Sequence, residues 1–253
     1  MREETNHKQL LEILGKFDAL CAEHGISYSL HGGTLLGAVR EKGFIPWDDD
    51  ADVSMTRQEF EKLETVLSGS GSACFIRGKI KKQFCQTGDD RVWVDIFICD
   101  GISEREVPQK LKLLLLTLLD VMHRDRQSMK LSNLDQYSKM KQLVFKTAFA
   151  LGQLLPKSWT EKGYVYVSRK CFLGRGELLF RSNDQYQGRG RVFPAEWMEA
   201  YGKVPFEDRQ LSVMKDWDAM LIQCYGPDYM VPLYQYRNAA VHDLVRASDS
   251  FVL

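Results

Sequence analysis

Apolar residues recur at three- and four-residue steps between residues 6 and 24 (Leu10, Leu14, Phe17, Cys21), which predicts a helix with one buried stripe and a stop at Gly25. Ile26–Leu30 alternates apolar and polar, as a half-buried strand does. A short helix is predicted over Thr34–Glu41, ending at Gly43. Pro46 cannot sit inside a helix, so a new element starts near Trp47, and Asp48–Met55 reads as a strand. Thr56 and Glu59 have capping-box spacing before a helix that carries Phe60, Leu63 and Leu67 and stops at Gly69. Strands are predicted over 74–80 and Arg91–Cys99; in the second, Val92, Val94, Ile96 and Ile98 share one face and Asp95 lies on the other. From Pro108 to about Lys170 the pattern is helical, with apolar candidates at Leu111–Met122 and Leu143–Leu155. Residues 175–192 read as a loop and 194–213 as irregular with short strands. Asp216–Tyr225 reads as a helix closed by Gly226-Pro227. The pattern is that of an α+β chain: a mixed core over residues 1–105, then a helical region and C-terminal segment over 106–253 that complete the same domain.

The chemistry concentrates between His31 and Val53, where Gly32-Gly33, a short helix and Arg40 precede Asp48, Asp49, Asp50 and Asp52. If 48–55 is a strand, Asp48, Asp50 and Asp52 share a face. Carboxylates crowded at an apolar strand repel one another unless a cation joins them, and hard oxygen ligands select Mg²⁺, Mn²⁺ or Ca²⁺. The alternative is a solvated acidic loop, which Asp49 fits best.

Three site types compete. A calcium loop would use Asp48, Asp50, Asp52 and Glu59, but its sharp turn needs glycine where Val53 stands, and Pro46 blocks a leading helix. A P-loop has its two glycines in Gly32 and Gly37, but Ala38 replaces the phosphate lysine. A nucleotidyltransferase-type site needs a glycine turn opening a helix, an Asp-x-Asp strand and a third carboxylate on a later strand. Gly32-Gly33, Asp50-Ala51-Asp52 and Asp95 supply these in order. Such carboxylates hold one or two divalent ions that neutralise a di- or triphosphate and activate a hydroxyl.

Composition narrows the partners. The 253 residues carry 34 basic and 34 acidic side chains, for net charge zero, which gives no case for nucleic acid. Six cysteines show no zinc or C-x-x-C spacing and read as reduced thiols of a cytoplasmic protein. The polar, acidic start Met1-Arg2-Glu3-Glu4 does not read as a signal peptide. The run Leu111–Met122 is too short to span a bilayer. The helices between 108 and 155 read first as core elements, with peripheral membrane contact as the alternative.

Gly33-Thr34-Leu35-Leu36-Gly37-Ala38-Val39-Arg40 followed by Gly43-Phe44-Ile45-Pro46-Trp47-Asp48-Asp49-Asp50 closely resembles the LicD family, which includes bacterial phosphocholine transferases and, more distantly, fukutin and fukutin-related protein. Val94-Asp95-Ile96-Phe97 resembles its second motif, with Ile98 in place of the usual proline. Tyr225-Gly226-Pro227-Asp228-Tyr229, Pro232 and His242 resemble its C-terminal signature. The resemblance implies a nucleotidyltransferase-like (polymerase-beta-type) mixed-sheet core with an added helical region. It also implies transfer of a phospho-alcohol, phosphocholine first, from a CDP-linked donor to a hydroxyl of a cell-surface glycan (teichoic acid, lipopolysaccharide or capsule), with release of CMP.

On this reading Asp50, Asp52 and Asp95 hold Mg²⁺ or Mn²⁺, and Asp48 or Asp95 takes the acceptor proton. Gly32, Gly33 and Thr34 cradle phosphate oxygens, and Arg40 and His242 contact substrate. A glycan or lipid-linked glycan is the acceptor, at the inner face of the cell membrane. A glycosyltransferase using a nucleotide sugar, and a divalent-ion binding module without chemistry, are the alternatives. Arg189 and Arg191 flank Gly190 as candidates for clamping donor or acceptor. Trp93, Tyr225, Tyr229, Tyr234 and Tyr236 suit either core packing or a quaternary-ammonium cage. His7, His24 and His123 read as surface residues of helices.

Overall fold

Helix α1 (Arg2–Glu23) buries Leu10, Leu14, Phe17 and Cys21, the stripe its spacing predicts. Gly25, at φ +60°, turns the chain out of the helix where a side chain would be strained. The structure, a computed structural model, describes residues 2–69, 73–125 and 138–231. It is α+β with a mixed sheet. The described residues form two compact units: those within 2–99, 181–184 and 193–231 make the first, and those within 100–180 and 185–192 the second.

In the first unit, β1 (Ser29–Leu30) leads into α2 (Gly32–Arg40), β2 (Asp52–Thr56) and α3 (Arg57–Gly69). Then follow β3 (Cys74–Arg77), β4 (Lys82–Gln86) and β5 (Asp89–Ile102). The sheet order is β1-β2-β5-β4-β3. β2 and β5 pair in parallel, with Asp52 opposite Asp95; β1–β2, β3–β4 and β4–β5 are antiparallel. The buried residues Val92, Val94, Ile96 and Ile98 hold β5 on the core, which leaves Trp93, Asp95 and Phe97 half-buried on the other face.

Several expectations change. The strand expected over Asp48–Met55 begins at Asp52: Pro46 and Trp47 form a turn, closed by Asp48 N–H donating to Ile45 O, and residues 48–51 are irregular. The strand expected over 74–80 ends at Arg77, because Gly78 (φ +91°) turns the chain back into β4. The capping box is partly redirected: Thr56 Oγ1 accepts the Glu59 N–H at 3.4 Å, while Glu59 Oε2 accepts the Ser27 N–H at 2.8 Å. Residues 175–192 are not simply a loop: β6 (Leu178–Arg181) pairs with β5 and with β7 (Val192–Pro194), and α7 (Tyr186–Arg189) lies between them. The stretch read as irregular contains the regular hairpin β8 (Tyr201–Phe206) and β9 (Arg209–Met214). Helix α8 (Trp217–Tyr225) ends at Gly226 (φ +87°), as expected.

Among the described residues the second unit contains α4 (Glu106–His123), α5 (Lys139–Gly152) and α6 (Lys157–Lys170), so the stretch expected to be helical holds a further helix after the two apolar ones. Val121, Phe145 and Ala148 form a core between α4 and α5. A Cβ at Gly152 would overlap the Met122 backbone, so glycine sets the close approach of these two helices. Lys112, which interrupts the apolar run, is buried: its Nζ donates to Gly101 O at 2.7 Å and Ser168 O at 2.9 Å.

Arg189 corrects a sequence expectation. It does not face solvent as a clamp would; it is 2% exposed and donates to Tyr164 Oη (2.8 Å) and Leu116 O (3.4 Å). Its Nη2 also pairs with Asp120 at 3.2 Å. Glycine-rich flanks suggest mobility, but burial of a cation demands partners, and the helices supply them. Replacing Arg189 with Ala removes a donor to the Tyr164 hydroxyl and one of the two cations, with Arg124, that pair with Asp120. Because Asp120 is partly exposed, the expected loss is about 2–3 kcal/mol, measured by urea unfolding of the full chain.

Candidate functional site

The site begins with one pairing. β2 and β5 run parallel with Asp52 opposite Asp95, and the Asp95 N–H donates to Ala51 O at 2.8 Å. Residue 50 therefore lies just before the paired segment, and its side chain joins the other two. Oxygens of Asp50, Asp52 and Asp95 lie within 4.8 Å of one another, a group that could hold a metal ion. Strand alternation put Asp50 and Asp52 together, yet Asp50 arrives from an irregular stretch and not from the strand.

Like charge and burial act in one direction here. The Asp52 carboxyl is pushed well above its ordinary value, first by burial and then by Asp50, Asp95 and Asp48. Asp48 is pushed up to about 8, by burial first and then by the Asp50 charge. Its Oδ2 is buried and accepts no hydrogen bond. Asp49 is exposed, in keeping with the solvated role expected of it. Such a set takes protons or binds a cation, and all-oxygen donors match a hard divalent ion.

The glycine pair is shaped by these acids. Gly32 has φ +55°, and a Cβ there would lie 2.6 Å from Asp52 Oδ2. A Cβ on Gly33 would overlap Asp48 Oδ2. The glycines thus make room for carboxylates, a need that the sequence alone did not reveal. Helix α2 starts at Gly32, and His31, its N-cap, supplies no side-chain cap. The first N–H groups of α2 thus start beside the acids. Thr34 is fully buried and its Oγ1 accepts the Asp52 N–H at 2.9 Å, so its hydroxyl holds β2 in place.

Arg40 stands at the far end of α2, about 12 Å from Gly32 at 1.5 Å per residue. Its Nε pairs with Glu41 at 2.8 Å and its Nη1 donates to Tyr229 O at 3.5 Å. The structure does not bring Arg40 into the carboxylate group. His242, Tyr234 and Tyr236 lie outside the described residues. His31 is buried, with its ring 4.9 Å from that of Phe97. Tyr225, at the end of α8, has its phenol pushed up by burial, then by Cys224, Asp52 and Asp48, so the C-terminal signature reaches the electrostatic field of the site.

Sequence reasoning missed several supports. His7, expected at the surface, is half-buried: it stacks on Phe44 at 4.8 Å, and its Nε2 lies 2.7 Å from Asp48 O. A carbonyl only accepts, so Nε2 carries the hydrogen. Asn6 donates to Asp49 O at 3.4 Å, and α1 thereby pins the acidic stretch from behind. Asn183 gives its side-chain amide to β5, accepting from Ile98 N and donating to Ile96 O, both at 2.7 Å. Gln83 Nε2 donates to Asp95 Oδ1 at 2.9 Å. No periodicity marks these polar residues; a hint lay only in their amide and imidazole chemistry.

The comparisons with known proteins fit this geometry. The family described as LicD/FKTN/FKRP, nucleotidyltransferase domain, matches residues 25–97, which contain the glycine turn and all three convergent carboxylates. The chain is similar to the lipopolysaccharide cholinephosphotransferase LicD of Haemophilus influenzae: 32% identity over 248 residues, covering 87% of this chain and 88% of the relative. Uncharacterised proteins of Rickettsia prowazekii and Rickettsia typhi match shorter stretches, at 36% identity over 23% of this chain and 34% over 25%. They cover 22% and 21% of those relatives. A match that runs nearly end to end, around a site of this composition, shows that the chain belongs to the LicD family of phosphotransferases.

Proposed function

We propose that this protein transfers phosphocholine from CDP-choline to a hydroxyl of a cell-surface glycan, in a metal-dependent reaction that releases CMP. The observation that carries this is the convergence of Asp50, Asp52 and Asp95 at the glycine turn, in a chain similar along most of its length to a lipopolysaccharide cholinephosphotransferase. We read the core as nucleotidyltransferase-like on the same grounds.

Asp50, Asp52 and Asp95 would hold Mg²⁺ or Mn²⁺. When bound, such an ion neutralises diphosphate charge and favours an ionised hydroxyl. The N–H groups of Gly32 and Gly33, at a helix start without a side-chain cap, orient phosphate oxygens. Asp95 Oδ1 is occupied by Gln83, which leaves Oδ2 to take the proton of the acceptor hydroxyl. Asp48 Oδ2 is shut against Gly33 and packs at the edge of the site. Arg40 is bound elsewhere and is left out of the reaction. Positioning and charge stabilisation supply most of the catalysis, as in phosphoryl transfer generally.

The helical unit suits an acceptor carried on a membrane. No helix among the described residues is long and apolar enough to cross one. Helix α5 buries Phe145, Ala148 and Gly152, yet exposes Met140, Leu143 and Leu151 along the opposite side. Leu154 and Trp159 continue the exposed apolar surface, at 80% and 65%. Residues 139–170 carry seven basic side chains and one acidic one, in a chain whose net charge is zero. Apolar and aromatic groups flanked by cations match an anionic bilayer surface, here the inner face of the cell membrane. The protein should sediment with vesicles of phosphatidylglycerol and phosphatidylcholine more than with phosphatidylcholine alone, and Leu143→Glu with Leu151→Glu should remove the difference. Equal sedimentation with both vesicle types rejects the membrane surface.

The donor assignment is tested by a panel of CDP-linked alcohols with Mg²⁺ or Mn²⁺ and candidate glycans, scored for CMP. CDP-choline should give the highest rate. Release of a nucleoside diphosphate from a nucleotide sugar would replace this reading with a glycosyltransferase. Asp50→Asn should lower activity at least a hundredfold, since the amide is a poorer, uncharged ligand. Gly33→Ala should lower kcat tenfold or more by displacing Asp48, with circular dichroism unchanged; full activity in that variant would remove the steric role of this turn.

A further inference from the structure

The carboxylate site does not end at Asp95. The register of the sheet sets Asp52 on β2 opposite Asp95 on β5, Asp95 opposite Gln83 on β4, and Gln83 opposite Arg77 on β3. Four polar side chains therefore form one row across four strands. Gln83 Nε2 donates to Asp95 Oδ1 at 2.9 Å, and Arg77 Nε donates to Gln83 Oε1 at 3.0 Å. The Arg77 guanidinium also lies over the face of Trp93, 5.0 Å from the ring centroid, two residues along β5 from Asp95. That contact engages the aromatic face which a quaternary ammonium would otherwise use.

We propose that Gln83 is a positioning residue for the third carboxylate, and that Arg77 fixes the orientation of the Gln83 amide. An amide side chain can present either end. Only one orientation gives the N–H to Asp95 and the oxygen to Arg77; the reverse sets oxygen against a carboxylate and N–H against a cation. Arg77 thus selects the productive orientation from one strand further out. The choice of a neutral amide beside Asp95 has its own reason. A lysine or arginine at 83 could also bond the carboxylate, but would add a positive charge directly against a proposed ligand of the ion. Gln83 holds Asp95 Oδ1 and leaves both the net charge of the site and Oδ2 available. Hydrogen bonds to ligating carboxylates of this kind change metal affinity by about 10–100-fold.

This inference rests on the proposed metal role of Asp95, and Mn²⁺ binding separates the two. The full chain is titrated with Mn²⁺, following free Mn²⁺ by electron paramagnetic resonance, and thermal unfolding is recorded without metal. Wild-type protein should bind Mn²⁺; no binding overturns the metal reading together with this one. With wild-type binding in hand, Gln83→Leu should weaken Mn²⁺ affinity about tenfold or more, raise the metal concentration needed for half-maximal activity, and recover most of kcat at saturating metal. Arg77→Met should act in the same direction but less strongly. It stands as the deciding variant if the Gln83→Leu protein does not fold. The double variant should bind Mn²⁺ no more weakly than Gln83→Leu alone, because Arg77 acts through Gln83. Unchanged affinity in Gln83→Leu, or in Arg77→Met where that variant decides, overturns the positioning role while leaving the metal reading intact. Fully additive losses in the double variant overturn the relay from Arg77.

Discussion

Mutual repulsion of carboxylates is the constraint on which the site depends. Two unit charges 4.8 Å apart at an effective dielectric of about 20 repel by about 3 kcal/mol, so three such pairs cost of order 10 kcal/mol. That rivals the whole stability of an ordinary domain. Such an arrangement persists in two ways: by taking up protons, the direction in which Asp48 and Asp52 are both pushed, or by receiving a cation. The surrounding structure keeps the acids together and leaves the second way open.

The framework that enforces this is redundant. α1 holds the backbone of the acidic stretch through Asn6 and His7. Thr34 holds the N–H of Asp52, and Ala51 O holds that of Asp95. These bonds fix backbone and so do not draw on the carboxylate oxygens. Gln83, which bonds Asp95 Oδ1, is neutral. Two cations of the neighbouring strands are committed to other groups: Arg77 to Gln83 and Trp93, Lys82 to Glu64 at 3.6 Å. Negative charge is thereby concentrated at one point of a chain that is neutral overall.

Much of this was legible in the sequence, for a reason that separates local from non-local information. Asp-x-Asp and Val-Asp-Ile announce their pattern within a few residues, as do the apolar stripe of α1 and the stop at Gly226. Pairing register and burial of polar groups are decided by partners far along the chain. Lys82-Gln83-Phe84-Cys85-Gln86 has too few apolar positions to declare a strand, so β4 and the role of Gln83 were invisible. Arg189, beside Gly188 and Gly190, reads as mobile, and only the packing of α4 and α6 reveals it as a buried tie. Asp48–Ala51 reads as strand because its alternation is that of a strand. The carboxylate trio holds all the same, since Asp52 and Asp95 follow from the strands and Asp50 needs only to stand next to them.

The glycine pair shows how a correct pattern can rest on an incomplete cause. Backbone approach to a phosphate explains glycine at a helix start in general. Here a second demand comes first: the space where side chains would stand is filled by Asp52 and Asp48. One steric requirement therefore serves two ends. Removing the Cβ atoms lets anionic side chains lie against the start of α2, and the same removal keeps the first N–H groups of that helix clear. A helix start that favours anions and a carboxylate cluster that favours cations are thus set side by side; under the function proposed above, they would serve a phosphate and its counter-ion within the reach of one short turn.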